Sequence, residues 1–144
     1  MKIPPHLTRS LRRFAAQRPE ARRFAAVAWL AAPTIELSLR WLGLQRTLAW
    51  IEASPPRTPR PRRVSLEEGE RLVEGVYRAH VVDGKCLPRS LLRYWLHRRE
   101  GSPARFVMGV RRGPDQLMAH AWVEGAPDPV ARQEFAELFT RGLA

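Results

Sequence analysis

One cysteine and four histidines are present in the 144-residue chain, and two of them fall where a thiol could be made nucleophilic. Cys86 stands where a helix should begin. Backbone N–H groups and the positive end of a helix dipole there favour thiolate over thiol, and the same donors could hold an oxyanion. A free cysteine has a pKa of about 8.5, and helix termini or a cationic imidazole lower it to roughly 3.5 to 7.5. The alternative is a small buried hydrophobe. His120 supplies the imidazole. In the alternating segment Leu117 to Glu124, Leu117, Ala119, Ala121 and Val123 face one way, and Met118, His120, Trp122 and Glu124 the other. A strand packed against the Cys86 helix could bring imidazole and thiol within the roughly 3 Å that proton transfer needs. A structural histidine satisfied by a backbone carbonyl is the competing reading.

A base of this kind needs a third group to fix its tautomer. Asp128, in Gly125-Ala126-Pro127-Asp128-Pro129, follows eight positions after His120 and is the preferred acid. Asp115 and Glu124 compete, the first in a turn and the second near a strand end; Asp128 could equally cap a helix or sit in a plain loop. The other histidines are weaker candidates. His6 lies in a proline-rich start, His80 ends a helix, and His97 is surrounded by arginines on a face expected to be exposed. One cysteine and dispersed histidines give no metal-ligand spacing. No glycine-rich phosphate loop occurs, and no cofactor is implied.

The elements that must position these residues are helices first and a hairpin after. Leu7, Leu11, Phe14 and Ala15 recur at helical steps, and a second helix is expected from Glu20 to Ala32. Pro33 should interrupt it, with Thr34 capping a third helix whose stripe is Leu37, Trp41, Leu44 and Leu48. Trp29, Trp41 and Trp50 read as core or interface anchors. Four prolines and four arginines between Ser54 and Arg63 favour an extended linker. The expected organisation is therefore a helical region over 1–53, a Pro/Arg-rich linker over 54–64 and a catalytic core over 65–144. The linker is not a full domain boundary, because too little precedes it to be stable alone.

Ser65 starts a helix with Glu67, Glu68 and Glu70 near its positive end, and Asp83 and Gly84 stop it. A further helix runs from Cys86 to about Arg99, with Pro88 tolerable in its first turn and Gly101 beyond its end. Then the period changes: Ala104 to Arg111 and Leu117 to Glu124 read as antiparallel strands joined through Gly113-Pro114-Asp115. A short helix or strand near Phe135 to Phe139 completes an α+β fold.

Composition narrows the class. Lys+Arg total 25 against 14 Asp+Glu, a formal net charge of +11, and all but two of the basic residues are arginine. That excess attracts acidic surfaces, but no aromatic-basic repeat or recognition helix accompanies it, so nucleic acid is not expected as a partner. A lone cysteine excludes an internal disulfide and suits a reducing, cytoplasmic compartment. Arg22-Arg23-Phe24 followed by Ala25 to Ala32 imitates a twin-arginine signal without its cleavage region. No apolar run reaches the roughly 18 residues of a membrane span.

The runs Cys86-Leu87-Pro88-Arg89-Ser90-Leu91, Phe106-Val107-Met108-Gly109-Val110-Arg111 and Ala119-His120-Ala121-Trp122-Val123-Glu124 together resemble the lasso peptide biosynthesis B2 proteins, which are transglutaminase-like cysteine proteases. Leu39 to Leu48 is also similar to that family, so the resemblance covers most of the chain. It implies a transglutaminase-like, papain-like core behind an N-terminal helical region, and a leader peptidase. Cys86 would attack the bond joining leader to core in a ribosomally made precursor peptide, His120 would serve as base, and Asp128 would orient it. The resemblance also implies a separate leader-recognition protein (RRE, or B1) acting in trans, and a synthetase-like lasso cyclase acting next. The N-terminal helices would offer a docking surface for such a partner, and the arginines would attract acidic leader segments. Two other functions use the same residues differently: a non-catalytic peptide- or partner-binding adaptor, and acyl transfer to an amine through the same thioester.

Overall fold

The computed structural model describes residues 17–54, 64–79, 86–101, 103–124 and 135–142. Among them three helices, α1 (Pro19–Ala53), α2 (Leu66–Ala79) and α3 (Cys86–Arg99), precede three strands, β1 (Arg105–Arg112), β2 (Leu117–Glu124) and β3 (Ala136–Gly142). This is an α+β arrangement. Expectations for the first sixteen residues, for Pro55 to Arg63 and for the Asp83-Gly84 stop lie outside the described residues.

The first helix departs from the expected punctuation. It runs through Pro33 and bends instead at Gly43, whose φ of 78° and ψ of 174° belong to a region that L side chains rarely adopt. Pro33 withdraws one backbone donor, and burial on the opposite side of the helix outweighs that loss. Ala21, Ala25, Ala28, Ala32 and Ile35 recur at three- and four-residue steps and are all buried. Thr34 is not a cap: its hydroxyl donates to the Leu30 carbonyl at 3.2 Å, within the same helix. After the bend Thr47 bonds the Gly43 carbonyl at 2.8 Å, and Leu48 and Ile51 turn into the core. The tryptophans lie outward, Trp41 being 79% exposed and Trp29 and Trp50 each 43%. None is a core anchor.

Ser65 caps α2 as its position predicts, its hydroxyl accepting from the Glu68 N–H at 3.1 Å. Val73, Val76 and Tyr77 then face Leu91, Leu92, Tyr94 and Leu96 of α3. The same cluster includes Ala28, Ala32, Ile35, Leu48 and Ile51, so α1 shares one core with α2, α3 and one side of the sheet. Polar contacts fasten the far end of α1. The Glu52 carbonyl accepts from Arg98 at 3.1 Å, and its carboxylate lies 3.4 Å from the Tyr94 hydroxyl and 4.0 Å from Arg141. His97 is not exposed. Its side chain is 16% accessible and lies 3.9 Å from Glu70, which also pairs with Arg93 at 2.6 Å.

The sheet order is β2-β1-β3, both pairings antiparallel. The third segment is thus a strand, and it pairs with β1 rather than with the neighbour that precedes it. Phe106, Ala121 and Val123 pack toward the helices with Met108 and Phe139 beside them, while Val107, Trp122 and Phe135 form a separate cluster. This alternation puts His120 on the Trp122 side of β2. Among the described residues, no helix is long and apolar enough to cross a membrane.

Both tyrosines of the chain are sealed within this packing. Burial pushes the Tyr77 and Tyr94 hydroxyls above the ordinary tyrosine value, with Glu36 and Glu52 respectively adding to the shift and nearby arginines opposing it. A native pKa raised above the unfolded one contributes stability that is complete below about pH 10 and is lost as pH rises beyond it. Tyrosinate absorbance should therefore stay flat to about pH 10 and then rise together with loss of helical circular dichroism.

Candidate active site

Cys86 is the first residue of α3, partly accessible and a free thiol. First-turn N–H groups have no intrahelical acceptor, and Pro88 removes one of them, leaving those of Cys86 and Leu87 among the described residues. Pro88 is itself buried, which fixes this end of the helix against the body of the protein. Arg89 ties the same turn to α2. Its guanidinium lies 3.1 Å from Glu74 and sits over the Tyr77 ring at 5.4 Å.

One turn further along, Ser90 donates its hydroxyl proton to the Ala121 carbonyl at 2.6 Å, a fully buried bond between α3 and β2. Ser90 is 1% exposed and Ala121 also 1%. Four residues of helix separate Ser90 from Cys86, about 6 Å along the axis, and Ala121 directly follows His120. The bond therefore brings the Cys86 end of α3 to the stretch of β2 that carries His120.

The imidazole itself lies among aromatic rings. His120 stacks on Trp122 with centroids 6.1 Å apart and planes at 18°, and the Phe135 ring lies 5.3 Å from it at 35°. Across the sheet its partner is Gly109. A Cβ there would sit 2.8 Å from the Ala136 carbonyl oxygen and 2.9 Å from the Trp122 ring, so only glycine admits both. Beside it the β1–β3 register slips by one residue between Met108 and Gly109. Asp128, the acid preferred from sequence, lies outside the described residues. Of its competitors, Asp115 is exposed in the β1–β2 turn, and Glu124 lies 3.4 Å from Arg105 at the strand end.

Ser90, Gly109 and Phe135 were not singled out as site residues by sequence. A signal existed for the first, since a small hydroxyl interrupts the apolar inner side of α3. Gly109 offered a second, as a glycine inside a strand pattern often marks close backbone approach.

With this fold and these contacts in hand, comparison with protein families places the chain. The transglutaminase-like superfamily matches residues 28–140, and the chain belongs to that superfamily. The match spans all six elements in part or whole, α1 included from Ala28 onward. No curated protein and no solved structure gives a match. The superfamily includes cysteine peptidases and acyltransferases, both of which proceed through attack of a thiolate on an acyl carbon.

The Ser90 bond is the test of how firmly α3 is registered on β2. Ser90→Ala leaves the buried Ala121 carbonyl without this donor, and the loss of stability should be about 1–3 kcal/mol, read as a lower urea midpoint with unchanged slope.

Proposed function

We propose that the chain is a thiol peptidase that removes the leader from a ribosomally made lasso peptide precursor. Superfamily membership supports thiol chemistry, and the observation that carries the assignment to these residues is the Ser90–Ala121 bond, which joins the Cys86 turn to the His120 strand. The Cys-Leu-Pro-Arg-Ser-Leu and Ala-His-Ala-Trp-Val-Glu runs, resembling the lasso B2 proteins, support the substrate class.

In this reading His120 takes the Cys86 proton, and the thiolate attacks the carbonyl carbon at the leader–core junction. The oxyanion is held by first-turn N–H groups of α3. The tetrahedral adduct collapses as the C–N bond breaks, and imidazolium returns its proton to the departing core amine. A leader thioester remains on Cys86. Water, deprotonated by His120, then attacks it, releasing the leader carboxylate and regenerating the thiol. Asp128 orients the imidazole. The freed core amine is the nucleophile that a synthetase-like cyclase would use next, and a separate leader-recognition protein presents the precursor.

Cys86→Ala should abolish leader release from precursor plus recognition protein, followed by mass spectrometry, while leaving the fold intact. Undiminished cleavage would overturn the nucleophile. Leader binding without cutting, combined with iodoacetamide labelling of Cys86 no faster than a model thiol, would favour the adaptor. Leader recovered as an amide with an added amine would favour acyl transfer. For the acid, Asp128→Ala should lower turnover by on the order of 10²- to 10⁴-fold with Asp115→Ala near wild type, and equal effects would remove the preference for Asp128.

A further inference from the structure

We infer that Trp122 is a positioning residue for the His120 imidazole, holding it with Phe135 in a fixed aromatic slot whose floor is the bare backbone of Gly109. This rests on His120 acting on Cys86 and adds which side chains set its direction. The observations are independent of that role. Trp122 is 7% exposed although it stands on the side of the sheet away from the main core, and among the described residues it clusters there with Val107 and the partly buried Phe135.

A buried indole in so small a cluster contributes little to the main core, yet the sheet is adapted to receive it. Gly109 faces His120 across the β1–β2 ladder, and any side chain at that position would strike the distal carbons of the Trp122 ring at 2.9 and 3.0 Å. The ring therefore leans over the residue that faces His120 and runs nearly parallel to the imidazole. The second ring is Phe135, which packs on the same cluster as Trp122 with its centroid 5.3 Å from that of the imidazole, and the Arg111 guanidinium carbon stands 5.2 Å from its own centroid.

An exposed histidine on a strand samples several rotamers, and only one would point toward the thiol. Two neighbouring rings restrict both side-chain torsions before any substrate arrives. π faces on the ring are also compatible with the imidazolium that the acyl-transfer steps require, so the slot can hold the ring in either protonation state. Trp122 touches neither substrate nor sulfur in this account. It acts through His120.

The test uses the full chain with precursor and recognition protein. Trp122→Leu should lower kcat on the order of 10- to 100-fold with KM little changed, and should slow iodoacetamide alkylation of Cys86, which needs no peptide. Trp122→Phe keeps a flat wall and should recover most of both. Equal losses in the Leu and Phe variants would indicate mere packing and overturn the inference, as would wild-type kcat in a folded Trp122→Leu protein. If Trp122→Leu does not fold, Phe135→Leu removes the other wall at a half-buried position, and full activity there overturns the slot. Cleavage that survives His120→Ala overturns the proposed mechanism and this role with it. Cleavage lost in His120→Ala but intact in Trp122→Leu overturns the slot alone.

Discussion

The Ser90–Ala121 hydrogen bond is the constraint around which the candidate site is organised. A strand carbonyl buried against a helix must find a donor, and an α-helix has no backbone N–H to spare except in its first turn. A serine hydroxyl solves this locally and sets translation and rotation of α3 on β2 together. The bond lies one turn from Cys86 and one residue from His120, so any slip of the helix would move the thiol relative to the imidazole by a comparable distance. Arg89 and Glu74 secure the same turn from the α2 side. The start of α3 is thus held from two directions.

What surrounds that bond is a division of labour between the two sides of the sheet. Helices cover one side with aliphatic residues from α1, α2 and α3, and the long first helix reaches them by using alanine to approach closely and glycine to bend. Aromatic side chains, Trp122 and Phe135, occupy the other with Val107. β1 is central and is served on both edges. Its glycine is what allows the outer side to carry an indole against the backbone.

Much of this was legible from residue pattern, and the limits have physical reasons. α3 and β2 occur with the boundaries that periodicity predicts, because proline in a first turn and a glycine beyond the end are strong signals and strict alternation is hard to mistake. The Ser65 cap is similarly local. Pro33 misled because intrinsic propensity measures an isolated helix, whereas here burial of Ala28, Ala32 and Ile35 holds the helix through it. For Trp29, Trp41 and Trp50 the core half of the expectation fails, because size alone does not say which side of a two-sided apolar helix finds a partner. His97 reads as exposed among arginines, yet a carboxylate from α2, remote in sequence, reaches its neighbourhood. The pairing of β3 with β1 is equally non-local. Of the candidate site, the positions of Cys86 at a helix start and His120 on a strand were readable; the serine tether and aromatic slot emerge only in three dimensions.

The serine tether joins residues 31 positions apart. Ribosomes add about 5–20 residues per second, so Ala121 joins the chain roughly two to six seconds after Ser90. The helix that opens on the thiol is thus made before the strand that registers it, and the site can close only once β2 has followed it out of the ribosome.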